Sequence, residues 1–145
     1  MIIDANNLIL GRLCAIVAKK ALQGEEVIIL NCDKAVVVGK KTDVFQRYKR
    51  KFDMGVPRKG PFIHRGADRL VRRTIRGMLP YKEQHGAEAF KRVMCYVGMP
   101  KVEGTIETID AINVNNTNNL KYVTMKEISE NLGFNYGKND TSIRN

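Results

Sequence analysis

Apolar residues recur along this chain in two rhythms, and the alternation between them sets out the fold. Ile2-Ile3 opens a short strand. Leu10, Leu13, Val17 and Ala21 then return at three- and four-residue steps, which places them on one face of a helix. Asn6 and Asn7 stand just ahead of that run and are expected to cap it, and Gly24 is expected to end it. Val27-Ile28-Ile29-Leu30 is continuously apolar, the pattern of a strand covered on both faces in a parallel sheet. Ala35-Val36-Val37-Val38 repeats the pattern and stops at Gly39.

Helical spacing then takes over. Thr42 is expected to cap a helix striped by Val44, Phe45, Tyr48 and Phe52, and Gly55 to Pro61 reads as an extended or flexible loop. The clearest period runs from Asp68 to Met78. Val71, Thr74, Ile75 and Met78, with Leu70 at their edge, form one side, and Arg69, Arg72, Arg73 and Arg76 form the other. Pro80 stops this helix. A short helix is predicted from Glu83 to Arg92 with Ala87 and Phe90 inward, then a strand over Val93 to Val97 and a turn at Gly98-Met99-Pro100. Residues 101–119 are predicted to be mostly loop, and Leu120 to Val123 a last strand. Thr124-Met125-Lys126-Glu127 matches a capping box, followed by Ile128 and Leu132 and closed by Gly133. Alternating strands and helices predict an α/β fold: a three-layer α/β/α domain around a small, mainly parallel four-stranded sheet. That single domain would span residues 1–134, with a polar, frayed tail over 135–145.

Charge changes the picture more than composition does. Of the formal net charge of +10, residues 40–92 hold 16 Lys and Arg against five Asp and Glu, while the remainder is almost balanced. A neutral scaffold interrupted by one cationic block predicts a dedicated polyanion-binding face, whose physical gain is counterion release from phosphates. The candidate contacts are Lys40, Lys41, Arg47, Lys49, Arg50, Lys51, Arg58, Lys59, Arg65, Arg69, Arg72, Arg73, Arg76 and Lys82. Arg69, Arg72, Arg73 and Arg76 are the strongest, because one arc carries four planar guanidinium forks and no acid. Tyr48, Phe52, Phe62 and Tyr81 are interleaved with the cations, and an exposed ring among them is placed to stack on an unpaired base.

Other chemistries fit poorly. Gly39-Lys40-Lys41-Thr42 resembles a fragment of a phosphate loop, but Lys34 occupies the place of the first glycine and the hydroxyl falls one position late. A nucleotide-dependent α/β enzyme therefore stands as an alternative without its motif; a free RNA-binding regulator is another. The carboxylates are dispersed, with no G-x-S-x-G elbow. Cys14, Cys32 and Cys95 are widely spaced and are expected to be buried, reduced thiols rather than metal ligands. No apolar run approaches a membrane span, and Met1-Ile2-Ile3-Asp4 lacks the start of a secretion signal, so a cytoplasmic location is expected.

Several segments resemble a known family. Gly11-Arg12-Leu13, Asn31-Cys32-Asp33-Lys34-Ala35 running to Gly39-Lys40, Arg73-Thr74-Ile75-Arg76-Gly77-Met78-Leu79-Pro80, and Val93 through Tyr96-Val97-Gly98-Met99-Pro100 occur in the order found in the ribosomal protein L13 family of the large subunit. The resemblance covers about residues 2–133 and is closest to the archaeal and eukaryotic branch. Met99-Pro100-Lys101 stands where bacterial members carry His-Pro-His, and the small size is that of archaeal forms. Tyr81 replaces the His or Asn often found after Met-Leu-Pro. The resemblance implies a structural component of the large subunit, bound to its rRNA and touching neighbouring ribosomal proteins. It implies no catalysis, no cofactor, no small-molecule substrate and no membrane.

Overall fold

The computed structural model describes residues 1–56, 58–100, 104–107, 109, 113–116 and 121–136. Six strands and five helices alternate among them: β1 (Ile2–Asp4), α1 (Leu10–Leu22), β2 (Val27–Leu30), β3 (Val36–Val38), α2 (Lys41–Asp53), α3 (Ala67–Met78), α4 (Gln84–Lys91), β4 (Val93–Cys95), β5 (Ile106–Glu107), β6 (Tyr122–Thr124) and α5 (Met125–Asn131). The four-stranded sheet runs β4-β2-β1-β5, and every pairing in it is parallel, as the sequence predicts for the α/β class. β5 falls inside the stretch expected to be loop.

Apolar alternation explains how the sheet is covered. Ile3, Val27, Ile29 and Val93 are fully buried in the main core with Leu13, Cys14 and Val17 of α1 and Val71 and Ile75 of α3. Helices α1, α3 and α4 pack together there and against the strands. Helices α2 and α5 pack instead beside a second sheet. That sheet corrects an expectation: β3 does not join the parallel sheet but pairs antiparallel with β6, Val37 opposite Val123. A short apolar run specifies burial and leaves its partner open.

The ends of the helices depart from the sequence reading in instructive ways. Asn7 does not cap α1; it sits in the left-handed region with φ 58°, while Asn6 donates its amide to Asp4 Oδ1 at 3.0 Å in an Asx turn. Ile9 occupies the cap position, its carbonyl accepting from the Leu13 amide at 3.0 Å. Nor does Thr42 cap α2: Lys40 is at the cap, and the Thr42 hydroxyl lies 3.3 Å from Asp43 Oδ1. Half of the expected box forms at α5, where Thr124 Oγ1 accepts from the Glu127 amide at 3.3 Å. The Glu127 carboxylate turns to Lys41 instead, 3.1 Å away, linking α5 to α2.

Where an extended or flexible loop was expected, Val56 and Gly60 pair with each other through their backbones. The Val56 amide donates to the Gly60 carbonyl at 3.2 Å, and the Gly60 amide returns to the Val56 carbonyl at 2.9 Å. A side chain at Gly55 would run into the Gly60 carbonyl oxygen, so the closure requires glycine there. On α4, Gly86 and Ala89 are the fully buried positions; Ala87 and Phe90, expected inward, are half-buried, with Phe90 packed against the core. Gly86 faces the Pro80 carbonyl, which leaves no room for a Cβ. Met78 is 43% exposed, because Leu79 takes the inward position at the end of α3. Residues Asn135 and Tyr136 are described, and Tyr136 packs edge-on against Phe134 with ring centroids 4.9 Å apart; the remainder of the predicted tail lies outside the described residues.

Candidate nucleic-acid interface

The predicted arginine face exists, and its four members divide into two kinds. Arg69 and Arg73 are exposed. Arg72 and Arg76 are half-buried, each set over an aromatic ring: the Arg72 guanidinium carbon lies 4.7 Å from the Phe90 centroid and that of Arg76 5.0 Å from Tyr81. Such stacks fix the guanidinium plane while leaving its in-plane donors to a ligand. Arg72 Nε is buried without a hydrogen-bond partner, so stacking rather than hydrogen bonding holds that side chain. The chain turns sharply after Leu79, the Tyr81 amide donating to the Leu79 carbonyl at 2.8 Å, and this returns the Tyr81 ring beneath Arg76.

Arg65 joins the preceding segment to this face. Its guanidinium stacks on Phe52 at 4.7 Å, so the end of α2 and the start of α3 share a cation. Its backbone is anchored from 64 residues away: the Ser129 hydroxyl of α5, fully buried, donates to the Arg65 carbonyl at 2.6 Å. Nothing in the local sequence signals Ser129, which reaches Arg65 only through the fold. His64 lies 3.2 Å from Arg69 Nη1 through Nδ1, five positions earlier in the chain.

On α2, Arg47, Lys49, Arg50 and Lys51 are all exposed, outward of the half-buried Phe45, Tyr48 and Phe52. Lys51 reaches over Tyr48 and Lys41 over Phe45, at 5.6 and 5.5 Å. Lys40, Arg58, Lys59 and Lys82 are exposed on their turns. Among the described residues Lys41 is the one cation of the block that meets a carboxylate, Glu127. The other Lys and Arg of the block form no ion pair among the described residues and outnumber nearby carboxylates such as Asp68 and Asp53, an excess of like charge that a polyanion relieves.

Two adjoining hollows run beside α3. One, of about 530 Å³, lies between the four arginines and the Phe90, Met94 and Cys95 side chains; the other, of about 430 Å³, continues past Arg65 and Arg69 to Tyr96 and Phe134. They share His64, Asp68, Arg69 and Cys95 and so form one cationic groove.

Residues with other candidate roles are engaged structurally. The Gly39 amide already donates to the Lys121 carbonyl at 2.7 Å, so the glycine of this turn is not free to cradle a phosphate as in a phosphate loop. Asn31 donates to Asp4 Oδ1 at 2.8 Å, and Asp33 Oδ1 accepts from the Gly98 amide at 3.3 Å, so Asn31-Cys32-Asp33-Lys34 fastens strand ends together. Burial pushes the Cys14 thiol up to about 12, and a hydrogen bond to Cys95 together with burial raises that of Cys32 further; Cys95 is half-buried. Thiols held protonated in this way are packing groups rather than nucleophiles. No three His, Cys, Asp or Glu side chains among the described residues converge as a metal site. No helix among them is long and apolar enough to cross a membrane.

Comparison with known proteins bears on the same segments. Residues 1–102 match the family described as Ribosomal protein L13, a span that takes in β1 through β4 and the entire basic block. Over 136 residues the chain is 44% identical to the large ribosomal subunit protein uL13 of Methanocaldococcus jannaschii, covering 91% of this chain and 96% of that one. It is 43% identical over 136 residues to the protein of that name from Archaeoglobus fulgidus, covering 92% and 87%, and 42% identical over 137 residues to that of Methanopyrus kandleri, covering 92% and 86%. With a groove of unpaired guanidinium groups on a packed α/β core, and likeness to archaeal relatives along nearly its whole length, the chain belongs to the ribosomal protein L13 family, as an archaeal-type member.

Proposed function

We propose that this protein is a structural constituent of the large ribosomal subunit that binds large-subunit rRNA through the Lys/Arg-rich face of residues 40–92, supporting subunit assembly and translation. It resides with the subunit in the cytoplasm and touches neighbouring ribosomal proteins. The family is one of structural ribosomal components rather than enzymes, and its relatives carry the large subunit in their names.

The observation that carries the reading is the groove beside α3, where Arg69, Arg72, Arg73 and Arg76 outnumber the single lining carboxylate, Asp68, and form no ion pair among the described residues. Phosphates entering it release counterions, and each guanidinium fork grips two oxygens. Arg72 and Arg76 are pre-positioned by Phe90 and Tyr81, which reduces the side-chain freedom lost on binding. Arg47, Lys49, Arg50 and Lys51 extend the contact along α2, with Lys40 and Lys41 at its start; Arg58, Lys59 and Arg65 reach from the turn and Lys82 from the exit of α3. The core stays rigid and the charge does the binding.

Sedimentation of a cell extract in high salt tests this. The protein is expected to travel with the large subunit; its release to the top of the gradient, with RNA binding intact, would favour a free regulator.

A further inference from the structure

Five aromatic rings of the basic block are covered by cations: Phe45 by Lys41, Tyr48 by Lys51, Phe52 by Arg65, Tyr81 by Arg76 and Phe90 by Arg72. Phe62 is the exception. It is 71% exposed, the most exposed large apolar side chain among the described residues, and no cation sits over it. An uncovered phenyl ring in the middle of a cationic surface has lost the hydrophobic gain of burial without acquiring a partner.

Its position is fixed rather than incidental. The Val56–Gly60 turn closes immediately before it, and Gly60, at φ +83°, lies against the ring: a Cβ there would approach Phe62 Cδ2 to 3.2 Å. The ring is one of the residues lining the 530 Å³ hollow, together with His64, Arg69 and Arg73. That volume falls within the roughly 300–1,000 Å³ of small-ligand sites. The hollow thus combines a free aromatic ring, walls in which four arginines outnumber one carboxylate, Asp68, and an apolar side made by Phe90 and Met94.

We infer that this hollow seats one unpaired nucleotide of the bound RNA, its base stacked on Phe62 and its flanking phosphates on Arg69 and Arg73. The inference rests on the rRNA-binding reading and refines it: phosphates alone need no exposed ring, whereas every unpaired base offers a π-face to one. A regular duplex keeps its bases stacked inside and cannot fill the hollow.

The test uses two RNA hairpins, identical except for one bulged nucleotide, titrated with the full chain by fluorescence anisotropy. The wild-type protein is expected to prefer the bulged hairpin by about fivefold or more. Phe62→Ala should abolish that preference while leaving affinity for the paired hairpin and its salt slope unchanged, and Phe62→Tyr should retain it. With a ring so exposed, the thermal midpoint of Phe62→Ala should match wild type. Equal wild-type affinity for the two hairpins, or a preference that survives Phe62→Ala, overturns the inference and leaves rRNA binding standing. Failure of the wild type to bind either hairpin, or large-subunit rRNA, overturns both.

Discussion

Replacing Arg69 and Arg73 together with Gln separates the charge of the α3 face from its packing. Both side chains are exposed; Arg69 touches His64 Nδ1, and Arg73 has no ion-pair partner among the described residues. The folded protein therefore loses almost nothing by the exchange, and its thermal midpoint should stay within about a degree or two, as for other surface changes. Binding should respond strongly. Each phosphate neutralised contributes about 0.7 to 0.9 to the slope of log K against log salt, so two lost contacts flatten it by about 1.4 to 1.8. At roughly 0.1 M salt that corresponds to about 25- to 60-fold weaker binding. Filter binding to a large-subunit rRNA transcript between about 50 and 200 mM salt measures both quantities. Arg72→Ala with Arg76→Ala should flatten the slope similarly but also lower the thermal midpoint, because Phe90 and Tyr81 lose stacks worth about 0.5 to 2 kcal/mol each. A double Gln variant with an unchanged salt slope would refute the assignment of phosphate contacts to this helix.

Further expectations concern the scaffold. Gly86→Ala places a Cβ 2.1 Å from the Pro80 carbonyl oxygen, so α4 must shift; a loss of about 1–3 kcal/mol in urea unfolding is expected, and an unchanged midpoint would contradict the packing. Ser129→Ala removes the 2.6 Å hydrogen bond that holds Arg65 and should cost about 1–3 kcal/mol, together with some RNA affinity; loss of neither would detach α5 from the interface. Cys14 ionises near 9.0 in the unfolded chain and only at about 12 in the folded one, so its contribution is complete below pH 9 and is lost as pH rises from there toward 12. Urea midpoints over that range should fall less steeply for Cys14→Ala than for wild type; parallel curves would show that this thiol is not held protonated.

The parts of the fold written in local spacing were legible, and those decided by distant partners were not. Helix α3 was readable to within a residue because its apolar and arginine positions keep the helical period without interruption. The parallel strands β1 and β2 followed from short apolar runs and β4 from alternation, yet the same apolar signal in β3 led to the wrong sheet, since pairing with β6 depends on residues more than 80 positions away. Asn6, Asn7 and Thr42 misled because short polar side chains favour turns as well as caps: the Asn6 backbone amide joins an Asx turn with Asp4, Asn7 takes a left-handed conformation, and the Thr42 hydroxyl turns to Asp43. The arginine face was legible as charge, but its division into free and stacked members was not. That division requires Phe90 and Tyr81 to return beneath the helix, and the Arg65 anchor requires Ser129 from α5.

The central claim is that rRNA lies against the α3 face and the turn leading into it. Ultraviolet cross-linking of assembled large subunits, followed by mass spectrometry of the protein's peptides, addresses it directly. The account predicts nucleotide adducts on peptides spanning Phe62 to Arg76 and on the exposed basic residues of α2. Adducts confined to the outer side of α1 or to the β5 edge, with the segment from Phe62 to Arg76 unmodified, would contradict it.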